Sequence, residues 1–199
     1  MTADWEARFN TEEYIFGKRP NRFLAENLPS LPPGSVLSLG EGEGRNAVFL
    51  AQHGWQVTAV DLSSSALSKT RRLAAEAGGK VAALNADLND LTILPGAWDL
   101  ILCFFVHLPA PERAALHRKV VAGLKPGGVY LLEGFAPAQL RFGDRGPKNI
   151  DQLYSLPMIQ QELAGLEFHI ARETERLLDD AQPELGSCAV TQLLGVKPL

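Results

Sequence analysis

A glycine-spaced turn is the segment of this 199-residue sequence whose residue types could do chemistry. Gly40, Gly42 and Gly44 stand at every second position, after an apolar run that ends at Leu39 and before a helix-like stretch that begins at Arg45. Glycine lets the backbone approach a ligand closely, and the start of a helix offers free N–H groups. The pattern is typical of a loop that binds a nucleotide-like cofactor, although tight strand-to-helix turns also use glycine for steric reasons alone.

Two acidic residues follow at the ends of the next two predicted strands. Asp61 stands where a carboxylate can accept both hydroxyls of a ribose, and Asp87 where a carboxylate can accept a hydrogen bond from an adenine amino group. Each has a simpler interpretation, Asp61 as part of a helix cap with Ser63 and Asp87 as a turn residue. Because neighbouring parallel strands end at one crevice, the loop and both acids together predict a cofactor site there.

The glycine spacing argues against a dinucleotide. The G-x-G-x-x-G fingerprint would place its third glycine at position 45, which is Arg45, whereas this chain has Gly44. Asp61 fits the ribose of either NAD or S-adenosylmethionine and does not separate them. An NAD-dependent oxidoreductase is further disfavoured because the chain leaves no room for a second substrate domain.

The elements that must position these residues follow from alternating apolar runs and helix-like stretches, which indicate βαβ units and a parallel sheet. Strands are predicted at residues 35–39, 56–60, 80–85, 98–106 and 128–134, and a terminal hairpin at 166–176 and 187–196 joined by a turn at 179–186. Helices are predicted at residues 21–27, 45–53, 63–77 and 111–124. We expect a single domain, with residues 1–33 as an N-terminal extension and residues 34–199 as the core.

Composition excludes several classes of protein. The net charge of −4 removes the positive field on which non-specific nucleic-acid binding relies. The first ten residues carry acids and no apolar core, and no run reaches the length of a membrane span, so we expect a cytoplasmic protein that binds neither nucleic acid nor membrane. Cys103 and Cys188 are predicted to be buried, inert thiols, and no metal site is expected.

The motifs together resemble the class I S-adenosylmethionine-dependent methyltransferases. The resemblance rests on VLSLGEGEGRNAVFLAQHGWQVTAVDLS at residues 36–63, ADLNDL at 86–91, WDLILCFFVHLP at 98–109 and LKPGGVYLLEGF at 124–135. Gly-Arg-Asn at 44–46 and Asp-Leu-Asn at 87–89 are most similar to the tellurite-resistance (TehB-like) branch.

The resemblance implies a Rossmann-like, doubly wound α/β sheet of seven strands, mostly parallel with an antiparallel last strand and with helices on both faces. It implies S-adenosylmethionine as cofactor and assigns residues by position. Those in the glycine loop that would face its methionine half are Gly40, Glu41, Gly42, Gly44 and Asn46; Asp61 would bind the ribose; Leu62, Asp87 and Leu88 would hold adenine; Cys103, Phe104 and His107 would line the approach to the methyl group.

One position departs from the family pattern. Members usually carry an acid where this chain has Ser38 and a cysteine or small residue where it has Glu41. The usual acid helps to hold the ammonium group of the cofactor. Glu41 either supplies the missing negative charge or is an inert surface residue.

The resemblance predicts methyl transfer to a small-molecule acceptor, such as a thiol or an oxyanion, by in-line displacement. His107 is the candidate general base, because histidine titrates near neutral pH; the alternative is a histidine satisfied within a turn. A non-catalytic S-adenosylmethionine-binding regulatory module is the alternative function. As partners we expect only the acceptor, and as assembly a monomer or weak homodimer.

Two further segments are candidates for contacting the substrate. Arg141 and Arg145 lie in a loop after the fifth strand, where cations could attract an anionic acceptor or could simply be solvated. Tyr14, Phe16 and Arg19 in the N-terminal extension could fold over the cofactor as a lid, or the aromatic residues could cover the sheet.

Overall fold

A computed structural model describes residues 4–143, 145–178 and 186–199 and shows one seven-stranded sheet in the order β3-β2-β1-β4-β5-β7-β6. The strands are β1 Ser35–Leu39, β2 Gln56–Asp61, β3 Val81–Asn85, β4 Trp98–Phe104, β5 Leu124–Phe135, β6 Glu167–Leu177 and β7 Ser187–Val196. β7 runs antiparallel to β5 and β6, and the other pairs are parallel. The predicted Rossmann-like sheet with its antiparallel last strand is confirmed, and β3 and β6 form its edges. The predicted turn at 179–186 lies, apart from Gly186, outside the described residues.

Six α-helices connect or flank the strands of the described chain: α1 Trp5–Phe9, α2 Arg22–Asn27, α3 Arg45–Gln52, α4 Ser64–Glu76, α5 Ala110–Gly123 and α6 Leu156–Glu162. The predictions for α2 to α5 agree with these bounds to within one residue at each end. α1 and α6 were not predicted; they have five and seven residues, and helices this short depend on tertiary contacts more than on their own periodicity, although the similarly short α2 was predicted. None of the helices described is both long and apolar enough to cross a membrane.

The sheet has an apolar core on each face, as the alternation of side chains along a strand requires. Leu100 and Leu102 of β4 pack on the face covered by α2 and α3, together with Phe23 and Leu50. Ile101 between them and Cys103 after them pack on the opposite face against α5 and α6. β4 is therefore buried on both sides, which explains its unbroken apolar sequence.

The register brings the candidate residues to one edge. Leu39 at the end of β1 pairs with Val60 of β2 and with Cys103 of β4, and Asp61 pairs with Asn85 of β3. The glycine loop, Asp61 and the segments after β3 and β4 consequently emerge side by side. We call this the carboxyl edge of the sheet.

Candidate functional site

The glycine loop joins β1 to α3 in a conformation that side chains rarely adopt. Gly40, Gly42 and Gly44 all have positive φ angles, of 61°, 70° and 96°. A Cβ atom on Gly40 would lie 2.4 Å from Val106 Cγ2, and one on Gly44 would lie 2.7 Å from the Cα of Thr70. Gly44 therefore serves the close packing of the start of α3 against α4, and Gly40 serves the close packing of the loop against Val106; the assignment of these glycines to the methionine half of the cofactor stays a prediction.

Asp61 ties the end of β2 to this loop. Its Oδ2 accepts a hydrogen bond from the Gly42 N–H at 2.8 Å, and its Oδ1 accepts one from the Ser63 N–H at 2.9 Å. Burial of the carboxyl group raises its pKa above the ordinary value. Ser63, rather than Asp61, caps α4, because Ser63 Oγ accepts the Ala66 N–H. Asp61 thus holds the loop in place at the point assigned to the ribose.

The two leucines that the resemblance assigns to adenine differ in exposure. Leu62 is 63% exposed beside Asp61, whereas Leu88, in the segment that follows β3, is buried in the core. An exposed leucine at such a point offers apolar surface that a flat ring would remove from water. Asp87 Oδ1 accepts the Asn89 N–H at 2.8 Å, so part of this carboxylate forms the turn that the simpler interpretation predicted.

Glu41 is buried rather than exposed, so the interpretation as a surface residue is wrong. Its Oε1 accepts the N–H groups of Asn46 and Ala47 at 3.1 and 2.9 Å, and its Oε2 accepts a short hydrogen bond from Ser38 Oγ. The N-cap position of α3 is Gly44, which has no side chain, and the Glu41 carboxylate satisfies the helix N-terminus in its place. Burial raises the pKa of Glu41.

Three residues assigned to the cofactor by resemblance are directed elsewhere. Asn46 is buried, and its Oδ1 accepts the N–H of Asn21, the residue that caps α2. Cys103 lies in the core between the sheet and α5, near Tyr154, and burial raises its pKa to about 11. Phe104 packs into the opposite core against α2 and α3. Their side chains support the site from behind and do not line the approach, because each points into the packed face of its own element.

His107 is held by backbone groups at both ring nitrogens. Nδ1 lies 2.8 Å from the Gln152 carbonyl oxygen, and Nε2 accepts the Phe135 N–H at 3.3 Å, which requires the tautomer protonated at Nδ1. The ring stacks on Phe135 and contacts Tyr154, and burial lowers its pKa to about 4. This geometry contradicts the role of general base and supports the alternative of a histidine satisfied within a turn.

Phe105 is a feature of this edge that the sequence did not reveal. Its φ angle is 57°, and it is the only non-glycine residue in the described part of the chain with a positive φ angle. Its N–H donates to the Glu133 carbonyl at 2.7 Å. A left-handed backbone at such a residue costs about 1–2 kcal/mol and recurs at functional sites. Its ring lies 5.0 Å from that of Phe135. Nothing in the residue type signals this conformation, because glycine or asparagine normally adopts it.

The N-terminal extension covers the glycine loop, but not with all the residues predicted. Phe9 is 4% exposed and its ring would contact a Cβ atom on Gly42 at 3.5 Å. Phe16 joins Phe9 at 6.1 Å between ring centroids, and its role in a lid stays a prediction. Tyr14 instead lies against α4, where its hydroxyl donates to the Lys69 carbonyl at 3.2 Å. Arg19 is exposed.

The basic loop after β5 lies at the same edge. Arg141 ends a 3₁₀ turn, Pro137–Arg141, and both Arg141 and Arg145 are exposed. A Cβ atom on Gly146 would lie 2.6 Å from Phe135, the ring that stacks on His107. The loop therefore packs beside the end of β5, next to His107, and its two arginines are exposed there.

Comparison with known proteins identifies this region. Residues 36–128 match the family profile described as a methyltransferase domain. The ribosomal RNA small subunit methyltransferase C of Alcanivorax borkumensis is 33% identical over 105 residues, which cover 50% of this chain and 32% of that protein. The ubiquinone biosynthesis O-methyltransferase of Bordetella bronchiseptica is 33% identical over 107 residues, which cover 53% and 44%. The chain thus spans less than half the length of these curated relatives.

A solved structure extends the likeness to almost the whole chain. TehB from Haemophilus influenzae has a TM-score of 0.73 at 18% identity, covering 97% of this chain and 65% of that one, which shows a shared fold. The matched family region contains the glycine loop, Asp61 and the segment after β3. Residues 36–128 thus match a methyltransferase domain, and the sequence motifs and the seven-stranded sheet of this chain are similar to those of the class I S-adenosylmethionine-dependent methyltransferases.

Proposed function

We propose that this chain transfers the methyl group of S-adenosylmethionine to a small-molecule acceptor at the carboxyl edge of the sheet. The observation that carries the proposal is the Asp61 carboxylate, bonded to the Gly42 N–H, with the exposed Leu62 beside it. A carboxylate fixed next to apolar surface suits the ribose and the base of an adenosine. Gly40 and Gly42, both at positive φ angles, carry no side chain that would stand between the loop backbone and the rest of the cofactor.

The chain's own residues divide the work of holding this cofactor. Asp61 accepts the ribose hydroxyls, and Leu62 and Leu88 pack against the base, with Asp87 at its edge. Glu41 contributes negative charge near the ammonium group, because its carboxylate lies on the Ser38 hydroxyl where the family usually has an acid. When bound, the cofactor supplies a methyl group already activated by its sulfonium sulfur.

Catalysis by this site consists mainly of positioning. An acceptor atom held in line with the leaving sulfur gains up to about 7–11 kcal/mol from proximity and orientation. We assign no general base, since His107 has both nitrogens engaged. A thiolate or an oxyanion arrives ionised and needs none, and the exposed Arg141 and Arg145 would raise its local concentration.

A small acceptor is favoured over a nucleic acid by charge. One relative is by name a ribosomal RNA methyltransferase, so RNA is the acceptor against which the proposal must be tested. The net charge of −4 provides no broad positive surface for a phosphate backbone.

Two measurements test the proposal. Calorimetry with S-adenosylmethionine, S-adenosylhomocysteine and NAD should show binding of the first two and not of NAD. An acceptor screen that reads S-adenosylhomocysteine release across thiols, oxyanions, small amines and ribosomal RNA should then give turnover with a small anion. Binding of NAD alone would overturn the assignment, turnover with RNA alone would overturn the acceptor class, and cofactor binding without any turnover would favour the regulatory module.

A further inference from the structure

A buried ion pair fastens the N-terminal extension to the cofactor loop. Glu43, in the glycine loop, and Lys69, in α4, lie 2.8 Å apart with side chains only 2% and 6% exposed. Taking two charges out of water is costly unless further hydrogen bonds satisfy them. We call residues 4–16 the N-terminal strap, because those further hydrogen bonds come from this segment.

The strap supplies partners to both members of the pair. Glu43 Oε1 and Oε2 accept the N–H groups of Ile15 and Phe16, each at 3.2 Å. Lys69 Nζ donates to the Glu13 carbonyl at 2.6 Å and to Thr11 Oγ1 at 3.2 Å. The ion pair is thus complete only while the strap is docked.

A second attachment holds the other end of the strap. The Glu6 carboxylate accepts hydrogen bonds from Ser63 Oγ and Ser65 Oγ, each at 2.6 Å, at the start of α4. Between the two attachments Phe9 covers Gly42, and its ring stacks with that of Trp5 at 5.5 Å. The docked strap therefore forms a wall over the glycine loop, next to Asp61.

We propose that Glu43 and Lys69 are positioning residues that hold the strap over the cofactor cleft and thereby set how fast the cofactor dissociates. Glu43 belongs to the glycine loop itself, so a single residue connects this loop to the N-terminal strap. Neither residue is assigned contact with the cofactor; both act through Phe9 and Trp5. The inference rests on the proposed function, since it concerns the same cleft.

The test is the dissociation rate of S-adenosylhomocysteine from the full chain, measured by stopped flow, for the parent and for Glu43→Gln. Glutamine keeps the size, but its amide nitrogen must face the N–H of either Ile15 or Phe16, donor against donor, and the change removes the charge that Lys69 needs. We expect dissociation to quicken at least about tenfold. Iodide should also quench the fluorescence of Trp5 more strongly in the variant, with Trp5→Phe as the blank.

Two further variants separate positioning from a loss of fold stability. Phe9→Ala removes the wall and leaves the ion pair, and should quicken dissociation as Glu43→Gln does. Glu162→Gln breaks a comparably buried pair with Arg113 on the opposite face of the sheet and should leave the rate within about twofold.

The outcomes distinguish this inference from the proposed function. If the parent binds S-adenosylhomocysteine and Glu43→Gln releases it at the parent's rate with unchanged Trp5 quenching, the pair is merely structural and the inference fails. An equal increase in Glu162→Gln would also overturn it. If the parent does not bind S-adenosylhomocysteine at all, the proposed function itself is wrong.

Discussion

The hydroxyl of Ser38 donates a hydrogen bond to the carboxylate of Glu41, three residues further along the same turn. The contact returns a negative charge to the end of β1, the position at which related proteins usually carry an acid. The same carboxylate accepts the first N–H groups of α3. One side chain therefore combines a helix cap with the charge that we assign to the cofactor's ammonium group.

Glu41→Gln should move stability and cofactor affinity in different directions. Its raised pKa means that the ionised form, present once the pH exceeds the folded-state value, disfavours folding at neutral pH. Glutamine can still accept from Asn46 and Ala47 and donate to Ser38. We expect an unchanged or higher melting temperature, but S-adenosylmethionine binding weaker by at least about tenfold, as a lost charged partner would give. Equal affinity would reduce Glu41 to a helix cap.

The double variant Ser38→Asp with Glu41→Cys tests the same charge in the family's usual place. Calorimetry should show cofactor binding restored relative to Glu41→Gln. The melting temperature should fall, because cysteine leaves the start of α3 without its cap, at a cost of about 0.5–2 kcal/mol. Failure to restore binding would mean that the position of the charge, and not its presence, is what matters.

Asp61→Ala should weaken cofactor binding far more than His107→Ala. The Asp61 change removes the proposed ribose acceptor and also releases the Gly42 N–H, so a loss of about 1.5–3 kcal/mol in binding is expected. The His107 change removes packing against Phe135 and should act mainly on stability. Calorimetry and thermal melts on both variants check this; equal losses of affinity would show that one role is wrongly assigned.

His107 should give the folded state a pH dependence of its own. Its pKa falls from 6.5 in the unfolded chain to about 4 in the fold, so the unfolded chain takes up the proton first as the pH drops. Stability is full above about pH 6.5 and decreases toward pH 4, by about 2–3 kcal/mol. Urea unfolding across this range, with His107→Gln as comparison, should show a shallower decline in the variant. A profile identical to the parent's would contradict the burial of a neutral imidazole.

Replacing both Arg141 and Arg145 with glutamine should raise the KM for an anionic acceptor about three- to tenfold at low salt. The affinity for S-adenosylhomocysteine should not change, since the loop packs on Phe135 at the end of β5, whereas Asp61 ends β2 on the other side of β1 and β4 in the sheet. Added salt should shrink the difference, because exposed charges are screened. Lys80→Gln, exposed at the start of β3, is the matched control. An unchanged KM would mean that these arginines are only solvated.

The backbone-determined part of the site could be predicted from the sequence, and the side-chain contacts could not. Gly40, Gly42 and Asp61 occupy positions that strand ends and tight turns dictate, and the structure brings them together. The engagement of His107 depends on the backbone of Gln152 and Phe135, which β5 and the segment after it bring near. Local sequence patterns do not predict contacts between residues this far apart in the sequence.

The strap illustrates the same limit. Glu43 and Lys69 look like ordinary surface charges in the sequence, and their burial follows only from contacts with residues more than 25 positions away. α1 has only five residues, too few for a hydrophobic periodicity that would predict a helix. The glycine loop was recognisable and a lid formed by the N-terminal extension was one of two open interpretations, but the residues that dock this extension, Glu6, Glu43 and Lys69, were not foreseen.

The two edge strands of the sheet, β3 and β6, are protected in different ways from pairing with strands of other molecules. β3 offers only five residues, Val81–Asn85, too few for a strong template. β6 is eleven residues long, but its exposed positions carry charges of both signs, including Glu167, Arg172, Glu173 and Glu175. Charged side chains along a free ladder oppose pairing with an incoming strand. The tendency to aggregate at high concentration should therefore depend on β6. Replacing its charged residues with neutral ones should increase aggregation without changing the rate of methyl transfer.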